Sequence, residues 1–231
     1  MAIIHKTTLT PTKLELVAAW LPAQPWYADR GRGPELAKAG GFRLDDPQGE
    51  VGIEFMVVTD GSDGSAAAYL VPMTYRASPL EGAGGALVGT TEHGVLGRRW
   101  VYDGISDPVL VGQLVALFHG QAQPQMQSVS DTPDPTVSCA PLAGGAVVAV
   151  QPAAAASGPS GTELRVAMVG GDGRPGGQLR ITVNRVLRPD GASQDGPGRA
   201  AGSVFADWRL ADGALVRGCL AAARYIAEGT D

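Results

Sequence analysis

The chain has 231 residues, of which 44% are hydrophobic and 18% charged, and it carries a formal net charge of −5 at pH 7. This length and apolar content suffice for one large domain or two small ones with a buried core. The acidic balance argues against a surface that binds the phosphates of nucleic acids. No run approaches the ~18 apolar residues that a membrane span needs, and the N-terminus lacks the basic-then-apolar order of a signal peptide. We therefore expect a cytoplasmic protein that binds neither membranes nor nucleic acid.

The composition also favours strands and turns over long helices. Glycine occurs 33 times and proline 17 times, and both residues mark turns. The two cysteines, Cys139 and Cys219, are too few for a disulfide framework, and we expect them to be small buried thiols.

The first element is a predicted helix. Thr10 is a suitable N-cap, Pro11 fits the first helical position, and Pro22 should end the helix. The apolar residues that share one face at helical spacing are Leu14, Val17, Ala18 and Leu21.

Three strands should follow, at residues 41–44, 51–59 and 67–75, with the turn formers of residues 60–64 closing a hairpin between the last two. Pro72 lacks an amide N–H, so it places its strand at a sheet edge or a bulge.

A second hairpin is expected at residues 94–102, followed by a helix with Asp107 as N-cap, Pro108 at the first position and Gly120 as terminator. The apolar stripe of this helix comprises Leu110, Leu114, Leu117 and Phe118. Residues 1–120 then form an α+β unit.

The second half is predicted to be β-rich. Residues 121–136 contain three prolines and little that could pack, so we expect a linker before a domain at residues 137–231. Strands are expected at residues 146–150, 163–169, 179–187 and 203–210, separated by flexible segments at 152–161 and 189–202. Asp212-Gly213 should turn the chain into a final strand over 216–226, although residues 220–227 also fit a helix.

Three stretches of the first half resemble the N-terminal cap domain of maltokinases. Residues 21–32 (LPAQPWYADRGR) are similar to that family's Leu-Pro, Arg-Trp-Phe and Gly-Lys-Gly-Arg signature, with Pro25 in place of its arginine. Residues 69–76 (YLVPMTYR) are similar to its Leu-Pro-Leu strand with a following Tyr-Arg. Residues 94–108 end in the Tyr-Asp and Asp-Pro pairs that enter its second helix.

The resemblance implies a cystatin-like cap, a curved antiparallel sheet with two helices, followed here by a second, mostly antiparallel β domain. It also singles out motif residues as a candidate interaction surface, although packing explains Trp26 and Tyr27 better. These residues are Trp26, Tyr27, Arg30, Arg32, Tyr75, Arg76, Tyr102 and Asp103.

The catalytic motifs of the kinase family have no counterpart in the sequence. Phosphoryl transfer needs a cation at the phosphates and carboxylates for Mg²⁺, but the last lysine is Lys38 and the last histidine is His119. Residues 179–191 faintly resemble the strand that carries the kinase lysine, which would fall near Thr182 or Val183. Neither can serve, so we expect a stand-alone cap-like protein without the catalytic lobe.

Other active sites find no better support. No Gly-x-Ser-x-Gly elbow accompanies the histidines, neither cysteine has a metal-ligand neighbour, and the aspartates of residues 60–63 fit a hairpin turn better than a calcium loop. We assign no catalytic residue, cofactor site or metal site.

The functional hypothesis is a non-catalytic accessory or interaction protein, linked by analogy to α-glucan, maltose or trehalose metabolism. It would bind a protein partner, such as an enzyme of that pathway, or a second copy of itself. The alternative is a transferase: a kinase-family subunit that binds nucleotide or completes a sugar kinase in trans. Six aromatic residues could serve a sugar or protein surface, although most should be core: Trp20, Trp26, Tyr75, Trp100, Tyr102 and Trp208.

Overall fold

The computed structural model describes residues 7–28, 31–61, 67–142, 147–170, 175–189 and 202–226. Within these ranges, helices α1 and α2 span Lys13–Trp20 and Pro108–Phe118. Strands β1 to β13 span, in chain order, Leu9–Thr10, Leu36–Leu44, Gly52–Asp60, Ala67–Arg76, Leu87–His93, Gly97–Asp103, Ser138–Ala140, Val147–Ser157, Gly161–Gly170, Pro175–Asn184, Val186–Leu187, Gly202–Arg209 and Leu215–Ile226.

The strands form one antiparallel sheet in the order β1-β5-β6-β4-β3-β2-β12-β13-β10-β9-β8. Two short strands lie off this path, β11 beside β4 and β7 beside β12. The chain is thus sheet-rich and α+β, as the sequence predicted. No helix among the described residues is long and apolar enough to span a membrane.

Helix α1 begins two residues later than predicted, because Thr12 and not Thr10 is its N-cap. The Thr12 side chain accepts a hydrogen bond from the Glu15 amide at 3.3 Å, and the Glu15 carboxylate accepts one from the Thr12 amide at 2.7 Å. This capping box satisfies two amides that the first turn leaves without partners. Leu16, Val17 and Leu21 bury the inner face, and Pro22 lies in the 3₁₀ turn that ends the helix.

Pro72 lies in an interior strand, which corrects the prediction of an edge or a bulge. On one side β4 pairs continuously with β3; on the other it pairs with β11 up to Tyr69 and with β6 from Met73. The Leu70 amide points to that second side, where it donates to the Arg185 carbonyl at 2.9 Å. Because amides alternate along a strand, position 72 faces the same side, in the gap between β11 and β6. The missing N–H of Pro72 therefore costs no ladder bond.

Helix α2 begins and ends where the sequence predicts. The Asp107 carboxylate accepts from the Val109 amide at 3.0 Å, Pro108 is the first helical residue, and Gly120 has a φ of 68° just after the helix. All four residues of the predicted stripe are buried. They belong to a hydrophobic cluster that also includes side chains of β3, β10, β12 and β13, so α2 packs on both halves of the chain.

The second half is β-structured, with longer strands than predicted. Strand β8 continues to Ser157 and covers much of the segment expected to be flexible, because it pairs with β9 as far as Thr162. Gly213, with a φ of 85°, turns β12 into β13. Residues 215–226 are a strand, which decides the alternative that the sequence left open.

The two halves of the sheet meet between β2 and β12, where Gly40 pairs with Trp208. A Cβ at Gly40 would lie 3.0 Å from the Asp207 carbonyl oxygen, so the close approach favours glycine. The segment expected to be a linker also contacts the sheet, since Arg43 and Gln125 exchange two backbone hydrogen bonds of 2.9 Å. The division at residues 121–136 stays a prediction.

Candidate functional site

A buried ion pair joins the cap-like half to the β-rich half. The Arg185 side chain has 0% exposure, and its Nη2 donates to both carboxylate oxygens of Asp103 at 2.8 and 2.7 Å. Its Nε donates to the Thr162 hydroxyl at 3.0 Å, and its guanidinium carbon lies 5.2 Å from the centroid of the Trp26 ring. Two motif residues of the first half, Trp26 and Asp103, therefore hold an arginine of the second.

Local structure positions both partners of this pair. Asp103 ends β6, and its Oδ1 also accepts a longer bond of 3.4 Å from the Ile105 amide, at the start of a 3₁₀ turn. Arg185 lies between β10 and β11, where its amide donates to the Ser160 carbonyl at 3.0 Å. The next residue is Gly104, where a Cβ would lie 2.3 Å from Leu110 Cδ1, so the close packing against α2 favours glycine. The geometry thus depends on backbone contacts on both sides.

Aromatic side chains surround this ion pair at the end of α1. The Trp26 ring lies 5.9 Å from Tyr69 and 5.8 Å from Trp20, measured between centroids. Trp26 is only 2% exposed, so packing is its role, as the sequence suggested. Tyr27 is half-buried and donates from its hydroxyl to Asp60 Oδ2 at 3.0 Å.

The arginines of the first motif lie near this cluster. Arg32 is partly exposed and contacts Glu35 at 3.2 Å and Asp60 at 4.0 Å. Arg30 lies outside the described residues.

Arg76 and Tyr102 fasten the elements around the start of α2. Arg76 donates two hydrogen bonds, of 2.6 and 2.7 Å, to the carboxylate of Asp107, the residue that caps α2. Burial alone would raise the pKa of Asp107, but the bonds from Arg76 and from the Val109 amide outweigh it and lower that pKa. The buried Tyr102 hydroxyl accepts from the Leu80 amide at 2.9 Å and so anchors the loop after β4.

Glu54, which sequence reasoning missed, is the centre of a second polar cluster. Its carboxylate is 2% exposed and accepts hydrogen bonds from Lys13 at 2.5 Å, Tyr75 at 2.8 Å and Gln127 at 2.8 Å. Burial works to raise the pKa of Glu54, yet Lys13, Tyr75 and the nearby Lys38 lower it on balance. The available signal was one acidic residue inside the apolar run of β3.

The surroundings of Glu54 also shift the pKa values of two neighbouring side chains, Tyr75 and Lys38. Burial, together with the neighbouring Glu54 carboxylate, raises the pKa of Tyr75 well above its ordinary value. Half-burial lowers the pKa of Lys38. Tyr75 is therefore a neutral hydrogen-bond donor at physiological pH, and Glu54 remains ionised.

Two cavities open on the described surface. The first, about 510 Å³, lies between the end of α1 and the loop before β5. The second, about 390 Å³, lies beside the β8–β9 turn. No described lining residue of either is a lysine or arginine; the lining carboxylates are Glu81 and Asp103 in the first and Glu163 in the second.

The remaining tryptophan and cysteine candidates are buried or half-buried. Trp208 and Cys219 are buried, and burial raises the pKa of Cys139 to about 11. Trp20 and Trp100 are half-buried. Among the described residues, no three His, Cys, Asp or Glu side chains are placed to hold a metal ion together.

Comparison with known protein families found one match within the first half of the chain. Residues 20–107 match the family model of the maltokinase N-terminal cap domain. The matched segment contains Trp26 and Asp103 of the buried ion-pair cluster and extends to Asp107, the cap of α2. A search of curated proteins found no match. Residues 20–107 are therefore similar to the maltokinase N-terminal cap domain.

Proposed function

We propose that this protein is a non-catalytic accessory protein that acts by binding a protein partner in α-glucan, maltose or trehalose metabolism. The observation that carries the proposal is that charged motif residues of its cap domain are paired with other residues of the same chain. Arg76 and Asp103 are each held in a short ion pair inside the molecule. Ion pairs of this kind position the fold.

The surroundings of the two described lysines support the same proposal. Phosphoryl transfer requires a cation at the transferred phosphate. Lys13 instead bonds to Glu54, and Lys38 lies close enough to the same carboxylate to influence its pKa. The resemblance would place the kinase lysine near Thr182, at the wall of the second cavity. Thr182 carries no positive charge and cannot replace that lysine.

The alternative is a kinase-family subunit that binds nucleotide or completes a sugar kinase in trans. The second cavity is the feature that favours it, because a turn containing Gly158 and Gly161 borders it. However, its described charged lining residue is Glu163, which repels phosphate. We therefore rank this alternative second.

The finer architecture belongs to the same proposal. We infer a cystatin-like cap over residues 1–120, a linker at 121–136 and a β-rich domain at 137–231, in a cytoplasmic protein. Support comes from the short strand pairing between the two parts of the sheet, which consists of one β2–β12 bridge and the two-residue pairing of β4 with β11. Self-association is the second mode of binding that we consider.

Two measurements test the function. Calorimetric titration of the purified chain with ATP–Mg²⁺ should give no binding heat at nucleotide concentrations up to about 1 mM, whereas micromolar affinity would establish the alternative. Size-exclusion chromatography with light scattering should then show a complex with a purified maltokinase or trehalose-forming enzyme of the native host. If the chain elutes unchanged beside each of these enzymes, the proposed partner class is wrong; a dimer of the chain alone would favour self-association.

A further inference from the structure

The first cavity, which we call the cap cavity, is lined by Trp20, Gln24, Leu80, Glu81, Asp103 and Ser106 among others. Its volume of about 510 Å³ lies within the roughly 300–1,000 Å³ typical of ligand pockets. The described lining combines one half-buried indole with two carboxylates and no cationic side chain. Such a wall attracts a positive group, since a cation is favoured both over an indole face and beside a carboxylate.

The walls of the cap cavity are held in place from behind. Tyr102 accepts a hydrogen bond of 2.9 Å from Leu80, which fixes the loop that carries Glu81. Arg185 fixes the Asp103 carboxylate with two contacts below 3 Å. The Gln24 side chain donates to the Trp20 carbonyl at 3.3 Å. A preorganised wall reduces the entropy that binding must otherwise lose.

The inner side of the same wall already holds a guanidinium. Arg185 bonds to Asp103 and lies over Trp26, at 5.2 Å from its ring centroid. Trp20 contacts Trp26 edge-on at 5.8 Å and lines the cap cavity, as Asp103 does. Aromatic ring and carboxylate therefore recur on the outer side, and Glu81 adds a second carboxylate there.

The charge and the free acceptor sites of the cap cavity also fit a positively charged hydrogen-bond donor. A carboxylate offers about four lone-pair sites; Arg185 uses two at Asp103 and the Ile105 amide a third. Arg185 neutralises Asp103, so among the described lining residues Glu81 provides the negative charge that no described cation pairs with.

We propose that the cap cavity binds an arginine side chain presented by the protein partner, with its guanidinium against Trp20 and bonded to Glu81 and the outer lone pair of Asp103. Arginine suits this wall better than lysine because its planar fork both stacks on an aromatic ring and bonds carboxylates in pairs. The inference rests on the proposed accessory role and names the chemistry by which the partner is recognised.

The test compares a charged and an uncharged probe of equal size, each added to the intact chain. N-acetyl-L-arginine amide should shift the Trp20 indole NMR signal with a dissociation constant on the order of 1 mM, as expected of a single side chain. N-acetyl-L-citrulline amide should bind at least about tenfold more weakly, because it lacks the charge. The affinity for the arginine probe should fall as salt is added.

Glu81→Gln is the decisive variant, because Glu81 is exposed and its replacement leaves the fold intact. It should weaken the arginine probe about tenfold, whereas Glu50→Gln, an exposed carboxylate that does not line the cavity, should leave the affinity unchanged. Equal affinities of the two probes, or maltose shifting the Trp20 signal while the arginine probe does not, would overturn the proposal.

The outcomes separate this inference from the accessory role. A partner enzyme that binds the wild-type chain and Glu81→Gln equally well would show that the cap cavity is not the docking site, with the accessory role intact. Selective binding of the arginine probe, without a complex with any pathway enzyme, would support the cavity and remove the proposed partner class.

Discussion

Replacing Asp103 with asparagine isolates the contribution of the buried ion pair. The substitution keeps the shape and one acceptor for Arg185 Nη2, but it removes the negative charge opposite a guanidinium of 0% exposure. Removing the partner of a buried charge costs about 3–5 kcal/mol, and a single charged hydrogen bond contributes about 1.5–3 kcal/mol. Because asparagine retains one bond, we expect the free energy of unfolding to fall by about 3 kcal/mol.

Reversible urea denaturation measures this loss, and a thermal scan should show a decrease in Tm of roughly 6–12 °C for a chain of this size. Glu92→Gln is the matched control, because it removes a carboxylate from an ion pair with Arg98 whose partners are both more than half exposed. That change should alter stability by less than about 1 kcal/mol.

The double variant Asp103→Asn with Arg185→Met examines the cause of the loss. If an unpaired buried charge is responsible, removing that charge should restore part of the stability, so the two changes together cost less than the sum of each alone. A loss below about 1 kcal/mol for Asp103→Asn, or strict additivity in the double variant, would refute the reasoning.

Further predictions concern other parts of the molecule. The pKa of Glu54 lies below its ordinary 4.5, so its contribution to stability is complete above that pH and is lost as pH falls through the folded-state value; Glu54→Gln should therefore lower the stability at neutral pH and flatten its decline in acid, as measured by urea denaturation from pH 7 to pH 3. Thr12→Ala should cost about 1 kcal/mol by removing the true helix cap, whereas Thr10→Ala should cost clearly less; equal losses would contradict the assignment of the cap. Gly41→Ala should prevent stable folding, because its Cβ would meet the Phe55 carbonyl oxygen and its φ is 113°; Gly49→Ala, at a φ of 72° in open space, should cost only about 1 kcal/mol, as judged by Tm.

Short-range sequence patterns predicted much of the local structure. Helix α2 could be located because its cap, its first proline and its terminating Gly120 act within a few residues of the helix itself. The motifs of residues 21–32, 69–76 and 94–108 sufficed to predict the cap-domain family. The cap of α1 was also readable, since Glu15 stands three residues after Thr12, but Pro11 drew the prediction to Thr10 instead.

Contacts between distant residues could be decided only by the tertiary structure. Asp103 and Arg185 are 82 residues apart, and no local pattern indicates which carboxylate a buried arginine will meet. The same holds for Glu54, whose donors come from α1, from β4 and from the segment after α2. The sequence alone determined the helix signals, most of the strands and the resemblance of residues 20–107 to the cap domain, because those depend on neighbours along the chain. Folding decided which charges are buried together, because that depends on which strands become neighbours in the sheet.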